Sequence, residues 1–141
     1  MEVRRLGPSD AEALLASRFL FDHDLSAEAT RAYVADDRNV VLLAFDGSAP
    51  VGFLRGTTLA QLRSTRSQMF LYEIGVVATH RRRGVGKALV TALLELCRAQ
   101  GYAEVFVLTD PGNAAAVRLY QATGALPETP ADRMYVYRLN L

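Results

Sequence analysis

A glycine- and arginine-rich loop between a strand and a helix constrains the fold of this chain more than any other feature. The loop, HRRRGVGKAL over residues 80–89, follows an apolar stretch at 69–77 that is rich in β-branched and aromatic residues. Such a loop presents unpaired backbone N–H groups at a helix N-terminus, and its arginines add positive charge. The sequence therefore predicts a strand–loop–helix unit that binds a pyrophosphate group.

The apolar pattern on both sides of the loop extends this unit. Alternation in the preceding strand predicts that Phe70, Tyr72, Ile74 and Val76 share one face, with Glu73 as the only charged residue. After the loop, apolar residues recur at helical spacing, Gly101 is a stop signal, and residues 104–109 are typical of the next strand. The amphipathic helix is therefore expected to pack on a sheet.

Two common phosphate loops do not fit these residues. A P-loop needs four residues between its first glycine and a Gly-Lys pair followed by Ser or Thr, whereas Gly84 and Gly86 are one residue apart and Ala88 follows the lysine. A dinucleotide-binding loop needs a third glycine where Leu89 stands, and a first glycine directly after the strand. The loop is therefore neither a nucleotide triphosphate site nor a dinucleotide site.

A second motif, TDPGNAAAVRLYQATGA, lies downstream at residues 109–125. Its Pro-Gly pair predicts a turn, Asn113 is a good N-cap for a helix, and Gly124 is a good stop. With R-x-x-G-x-G at Arg81, the chain thus carries two motifs separated by a predicted helix and strand. Together they resemble the two signatures of the GCN5-related N-acetyltransferase (GNAT) superfamily.

This resemblance implies an α/β (α+β) fold with a mixed central sheet that is splayed at an acyl-CoA site. It implies acetyl-CoA as co-substrate and no metal. In the superfamily the backbone near residues 76 and 77 polarises the acetyl carbonyl, and the second motif lies beside the pantetheine arm. The expected cofactor-binding residues are Val76, Val77, Arg82, Arg83, Gly84, Val85, Gly86, Lys87, Asn113 and Ala116.

The rest of the chain supplies the remaining elements. Residues 2–6 are predicted to form a short strand, helices begin near Pro8 and Ser26, and residues 39–58 form a hairpin around an Asp-Gly turn. A final strand is predicted at 133–139. The element order β-α-α-β-β-β-α-β-α-β resembles the superfamily core, and 141 residues suit a single domain over 1–141.

Composition excludes several classes of protein. Sixteen basic and fifteen acidic residues give no electrostatic case for nucleic acid or an anionic membrane, and no apolar run could span a bilayer. The single cysteine, Cys97, lies on the apolar side of the long helix and fits a reducing, cytoplasmic environment. The two histidines stand far apart in sequence without a Cys/His cluster, so no metal site is expected.

Acetyl transfer from a thioester to an amine needs a neutral amine and a proton for the departing thiolate. Glu73 is the candidate base, because a carboxylate among apolar residues is costly to ionise and is therefore suited to take a proton. The alternative is a carboxylate satisfied by a nearby arginine or backbone amide. Tyr120, in the second motif, is the candidate acid, and its alternative is an ordinary core aromatic.

The acceptor is predicted less directly. Several strings, among them AFDGSAPVG at 44–52 and FLYEIGV at 70–76, resemble the gentamicin-type aminoglycoside 3-N-acetyltransferases, which carry a Tyr-acid pair where Tyr72 and Glu73 stand. Acidic residues at the first interhelical turn would attract a polycationic acceptor, although Asn113 and Ala114 replace two aspartates of the clinical enzymes. The expected acceptor-binding residues are Asp22, His23, Asp24, Tyr72 and Asp110.

The resulting prediction is an acetyl-CoA-dependent aminoglycoside 3-N-acetyltransferase that uses direct transfer. Two alternatives stay open: a GNAT enzyme that acetylates another small amine or a protein amine, and a non-catalytic acyl-CoA-binding module. A sensor of acyl-CoA would need only the pyrophosphate loop, so the presence of both Glu73 and Tyr120 favours an enzyme. A homodimer through the predicted C-terminal strand is a further expectation, by analogy with the superfamily.

Overall fold

A five-stranded mixed sheet forms the centre of the molecule, in a computed structural model that describes residues 1–127 and 135–139. Strands β1 to β5 lie side by side in chain order; the first four are antiparallel, and β5 is parallel to β4. Their bounds are Glu2–Arg5, Asn39–Asp46, Ala49–Leu59, Gln68–Val76 and Glu104–Val107.

Four α-helices connect or flank the strands in the described part of the chain: α1 (Ala11–Ala16), α2 (Ala27–Ala35), α3 (Val85–Ala99) and α4 (Ala114–Ala122). Ser26 caps α2, since its hydroxyl oxygen accepts a hydrogen bond from the N–H of Ala29 at 3.1 Å. The connection from β4 through α3 to β5 is the parallel crossover that the sequence pattern predicts.

Two apolar cores lie on opposite faces of the sheet. One face is covered by α3, whose Leu89 and Leu93 are completely buried against β2, β3 and β4, and whose Cys97 is buried as expected. The other face is covered by α1 and α2, and Phe53 is its largest fully buried side chain. The sheet is thus a middle layer, as its apolar strands require.

A β-bulge in β4 opens the sheet. Arg55 of β3 pairs with Glu73, but the next residue, Gly56, pairs with Leu71, so Tyr72 has no partner opposite it. The pairing of β4 with β5 ends at Leu71, the residue before the bulge. Beyond this point β4 continues alone, and the predicted splay between neighbouring strands begins here.

The bulge also corrects the predicted faces of β4. Simple alternation places Phe70, Tyr72, Ile74 and Val76 together, but the extra residue shifts the alternation by one position. As a result, Ile74 and Val76 pack with Leu71 in the core beneath α3, away from Phe70. The carboxylate of Glu73 instead reaches the opposite face, where it contacts Arg55 and His23.

Most of the predicted elements are confirmed to within a few residues, with one exception at the C-terminus. Residues 135–139, the described part of the strand expected at 133–139, have no strand pairing, and the beginning of that strand lies outside the described residues. Among the helices that the structure describes, none combines the length and apolar character that a bilayer span requires.

Gly75 provides a test of packing beside the splayed strand. A Cβ atom at this position would lie 2.6 Å from Cε1 of Phe53, far inside normal contact. We expect Gly75→Ala to lower the free energy of unfolding by about 1–3 kcal/mol, measured by chemical denaturation. Gly7→Ala, whose nearest neighbour would lie at 3.7 Å, is the control. Equal stability of both variants would contradict this close approach.

Candidate active site

A large cleft lies where β4 and β5 separate. Its volume is about 1270 Å³, and its walls are the ends of these two strands and the N-terminal turns of α3 and α4. Eleven of the seventeen predicted site residues line it: Tyr72, Glu73, Val76, Arg82, Gly84, Val85, Gly86, Lys87, Asn113, Ala116 and Tyr120.

The N-terminus of α3 presents free N–H groups to this cleft. The first hydrogen bond of the helix runs from the N–H of Ala88 to the carbonyl oxygen of Gly84 at 2.9 Å. The N–H groups of Val85, Gly86 and Lys87 therefore have no acceptor within the described part of the chain. Gly84 has a φ of +81°, a left-handed conformation that places the helix start at the cleft. Three adjacent donors at the positive end of a 15-residue helix fit a pyrophosphate.

Cationic side chains surround these donors. Arg81, Arg82 and Lys87 come from the loop and the first turn of α3, and Arg118 reaches the cleft from α4. Arg83 does not line the cleft; its charge instead lies near Asp46. Arg118 was not predicted, although its place in the second motif, two residues before Tyr120, would have indicated it.

The loop is tied to the hairpin of β2 and β3 by His80. Nε2 of His80 lies 2.9 Å from Oδ2 of Asp46, and Nδ1 lies 2.9 Å from the hydroxyl oxygen of Thr79. The hydrogen bond from His80, with the positive charges of His80 and Arg83, lowers the pKa of the Asp46 carboxyl. The Asp46 carboxyl is therefore ionised at neutral pH, and its contact with His80 is weakened as the pH falls through this lowered pKa.

Breaking this tie should weaken cofactor binding. We expect Asp46→Asn to raise the Kd for CoA roughly two- to fivefold at neutral pH, since an exposed ion pair that orients a loop makes a modest contribution. Isothermal titration calorimetry measures this change, and the difference from the wild type should shrink at acidic pH. Asp37→Asn, at an exposed site outside the cleft, is the control. A Kd unchanged at every pH would contradict a positioning role for Asp46.

The free edge of β4 supplies a hydrogen-bond donor, but only one of the two predicted. The N–H of Val77 donates to the carbonyl oxygen of Val51 at 2.9 Å, so it completes the ladder with β3 and is not available. Because successive N–H groups of a strand point to opposite edges, the N–H of Val76 points into the gap beside β5. The prediction of an available donor is thus wrong for the N–H of Val77, and for the N–H of Val76 it stays a prediction.

Glu73 is surrounded by polar groups rather than by the apolar residues expected. Its Oε1 accepts a hydrogen bond from Nε of Arg55 at 2.7 Å, and its Oε2 lies 3.1 Å from Nε2 of His23. The guanidinium of Arg55 lies over the rings of Tyr72 and Tyr33, at 4.2 and 5.6 Å from their centroids. Arg55 was not predicted as a site residue. The sequence did contain a signal for it, because Arg55 is the only charged residue in the apolar strand predicted at 50–58. It pairs with Glu73 in the register of β3 and β4.

Tyr120 lies on α4 and packs against the core beneath α3, with its ring at the wall of the cleft. Burial raises the pKa of its phenol, so the hydroxyl group carries its proton throughout the neutral range. A neutral phenol that faces the cleft can donate a proton to a departing thiolate. Close packing of α3 on α4 fixes this wall, since a Cβ at Gly86 would lie 3.2 Å from Cδ2 of Leu119.

Asn113 and Asp110 have local structural roles at the start of α4. Oδ1 of Asn113 accepts a hydrogen bond from the N–H of Ala116 at 3.1 Å, so Asn113 is the N-cap and also lines the cleft. Oδ1 of Asp110 accepts a hydrogen bond from the N–H of Gly112 at 2.8 Å. Asp110 therefore stabilises the turn before the helix and is not part of the cleft wall.

The predicted acidic wall lies on the other side of Glu73. Asp22, His23 and Asp24 are exposed in the segment between α1 and α2 and do not line the main cleft. His23 and Asp24 border a smaller, mostly apolar cavity of about 280 Å³. Polar atoms of Asp22, His23 and Glu73 lie within 4.8 Å of one another, but the guanidinium of Arg55 on Glu73 opposes a cation there. Two further acidic residues, Glu128 and Asp132, lie outside the described residues.

The sequence matches a known protein family over most of its length. The model of the acetyltransferase (GNAT) family matches residues 10–125, most of the chain and all of the cleft. The chain belongs to this family. N-acetyltransferase 8B of Rattus norvegicus is 32% identical over 102 residues, which are 72% of this chain and 46% of the relative. The chain thus spans about half the length of the curated relatives it matches.

Solved structures confirm the predicted GNAT fold. The aminoglycoside acetyltransferase meta-AAC0020, from an uncultured soil metagenomic sample and in complex with sisomicin, has a TM-score of 0.87 at 24% identity, over 99% of this chain and 96% of that chain. Aminoglycoside N-acetyltransferase AAC(6′)-Iy, in complex with CoA, has a TM-score of 0.77 at 22% identity, over 99% and 95% of the two chains. At these identities the likeness establishes the architecture and leaves the acceptor open.

Proposed function

We propose that this protein is an acetyl-CoA-dependent N-acetyltransferase. The observation that supports this most is that three kinds of group meet at one cleft. They are the free backbone N–H groups at the start of α3, which can bind a pyrophosphate; the N–H of Val76, which can donate to a carbonyl oxygen; and two titratable side chains, Glu73 and Tyr120. A module that only binds acyl-CoA would need the first kind alone. Family membership and the CoA complex of a structural neighbour point to the same co-substrate.

The residues of the cleft would hold acetyl-CoA along its length. The N–H groups of Val85, Gly86 and Lys87 would bind the pyrophosphate, with charge supplied by the surrounding arginines. The strand β4 leads from this loop toward Glu73, so the pantetheine arm would lie in the gap between β4 and β5. This arrangement brings the thioester to the N–H of Val76.

The chemistry requires proton transfers at two places. Glu73 would take a proton from the acceptor ammonium, directly or through water, and free the nitrogen lone pair to attack the thioester carbonyl. The new N–C bond forms as the C–S bond breaks, and Tyr120 would donate its proton to the sulfur. The second proton lost by the nitrogen then restores the phenol. From an ammonium acceptor, each turnover releases one proton to solvent.

For the acceptor we propose an aminoglycoside, with the 3-N position as the first regiochemistry to test. A structural neighbour binds the aminoglycoside sisomicin, and Asp22 and Asp24 would place negative charge near Glu73, where a polycationic acceptor approaches. The polyamine would enter from the side of the α1–α2 segment, opposite the cofactor. Of the five expected acceptor residues, Tyr72 is the one that lines the cleft, next to Glu73 in β4.

A thiol-release assay tests the proposal. Purified protein, acetyl-CoA and a panel of amines that includes gentamicin, sisomicin, small diamines and peptide N-termini should release CoA above background with at least one acceptor. Mass spectrometry and NMR of the product locate the acetyl group. If acetyl-CoA binds and no amine is acetylated, the enzyme proposal fails in favour of a binding module.

The aminoglycoside proposal has its own test in bacteria. Expression of the protein should raise the inhibitory concentrations of gentamicin and sisomicin, and a Glu73→Gln variant at equal expression should not. If the protein acetylates a different class of amine and the inhibitory concentrations do not change, the proposal of acetyl transfer is kept and the proposal of an aminoglycoside acceptor is refuted.

A further inference from the structure

The contact between His23 and Glu73 is the feature of this molecule that the proposed reaction does not yet use. Nε2 of His23 lies 3.1 Å from Oε2 and 3.4 Å from Oε1 of Glu73, fifty residues away in sequence. On the other side of the ring, Nδ1 lies 3.3 Å from the carbonyl oxygen of Asp24. Both ring nitrogens therefore face hydrogen-bond acceptors.

These partners fix the number of protons on the pair. A backbone carbonyl only accepts hydrogen bonds, so Nδ1 carries a proton and donates it to Asp24. A carboxylate and the lone pair of Nε2 are both acceptors, and they approach to 3.1 Å only when one proton lies between them. Glu73 and His23 in this geometry thus share a single proton.

The two members of the pair differ in their access to solvent. The side chain of His23 is 47% exposed, whereas that of Glu73 is 20% exposed and lines the cofactor cleft. Glu73 therefore connects the cleft to a residue at the surface. The route from cleft to solvent consists of two hydrogen-bonded side chains.

The charges around His23 favour its protonated form. The carbonyl of Asp24 has the largest effect and raises the pKa of His23, and the carboxylates of Glu73 and Asp22 raise it further, while partial burial opposes them. Arg55, on β3, lies on the far side of Glu73 and binds its other oxygen. When the pair holds no proton, His23 is thus the favoured site for a proton that leaves Glu73.

We propose that His23 is a relay residue, which takes the proton of the acceptor amine from Glu73 and releases it to solvent. The inference rests on the acetyl transfer proposed above. The N–H bond of the ammonium breaks as an O–H bond forms on Glu73; this O–H bond then breaks as an N–H bond forms at Nε2 of His23. This second transfer restores the ionised carboxylate, release of the proton from the exposed ring restores the neutral imidazole, and one proton leaves per turnover.

The relay gives the reaction a defined pH dependence. The pair can accept a proton only when it holds none, so kcat/KM falls as the pH drops and the shared proton binds. Because its surroundings raise the pKa of His23, this acid limb lies above the ordinary histidine range. Without His23 the limb should move to lower pH.

The variant His23→Gln separates a relay from a positioning role, because the amide can still donate a hydrogen bond to Glu73 but cannot pass on a proton. We expect kcat above the acid limb to fall about tenfold, the acid limb of kcat/KM to move to lower pH, and the KM for acetyl-CoA to stay unchanged. Added imidazole should restore part of the activity of His23→Ala. Glu28→Gln, an exposed carboxylate on α2, is the control.

Other outcomes would overturn the proposal. If the rate of His23→Gln falls by the same factor at every pH, His23 only positions Glu73. If its kinetics equal those of the wild type, His23 has no role in the reaction. Either result refutes the relay and leaves the proposal of acetyl transfer intact. A wild-type protein that acetylates no amine instead refutes the proposed function itself.

An NMR titration tests the shared proton without turnover. In the wild type, the ring of His23 should titrate above the ordinary histidine range, and in Glu73→Gln its pKa should fall. The signal of His80, which binds Asp46 elsewhere, should change little between the two proteins. Titration of His23 with the same pKa in both proteins would show that no proton is shared and would overturn the relay.

Discussion

Glu73→Gln should lower kcat for acetyl transfer about a hundredfold near neutral pH. The amide keeps the shape of the carboxylate and can still contact Arg55, but it cannot take a proton from the acceptor. The deficit should shrink as the pH rises, because the amine then loses its proton without help. Steady-state rates of CoA release between pH 6 and 10 measure this recovery.

The control for this variant is Glu95→Gln, which removes an exposed carboxylate from α3 outside the cleft and should leave the profile unchanged. A Glu73→Gln enzyme whose rate is reduced by the same factor at every pH would show that Glu73 positions the amine and does not accept its proton. Binding of CoA should differ little from the wild type, since the carboxylate of Glu73 contacts Arg55 and His23, whereas the free N–H groups proposed to bind the pyrophosphate lie at the start of α3.

The second large effect is expected at Tyr120. Tyr120→Phe should lower kcat on the order of tenfold to a hundredfold, because the buried phenol carries the proton that the departing thiolate needs. The ring and its packing are kept, so the Kd for CoA should stay within about twofold of the wild-type value. Rapid-quench kinetics of the first turnover distinguish slower chemistry from slower product release.

Tyr102→Phe is the matched control. This tyrosine follows α3, and its hydroxyl oxygen lies 2.7 Å from that of Thr58, away from the cleft. Both variants lose one phenolic hydroxyl, but only Tyr120→Phe should lose turnover. Equal activity of Tyr120→Phe and the wild type would show that the departing thiolate takes its proton from water and that Tyr120 is not the acid.

The sequence predicted the loop and the exposed start of α3 well, because their determinants are local. The loop at 80–89 and the start of the next helix are adjacent in the chain, and helix N-termini expose the same backbone donors in every protein. The N-cap role of Asn113 follows from the same local rule. Such features depend on a few neighbouring residues and on little else.

The surroundings of Glu73 could not be predicted, because they depend on strand register and on a distant segment. Arg55 reaches Glu73 only through the pairing of β3 with β4, and His23 reaches it from the α1–α2 connection. An alternating pattern also assumes that no residue is inserted, and the bulge at Tyr72 breaks this assumption. A nearby arginine was one of the two alternatives for Glu73, but the pattern could not identify Arg55 or His23 as its partners.

The bulge has a wider meaning for this architecture. A strand that matched its neighbours residue for residue would have continued the ladder with β5 past Leu71, and the sheet would have been better paired and sealed. The single extra residue, Tyr72, marks the start of the gap between β4 and β5 that a cofactor arm can enter. The cleft is thus the product of a length mismatch between two strands. A more regular sheet would have more paired backbone groups but no opening for a cofactor.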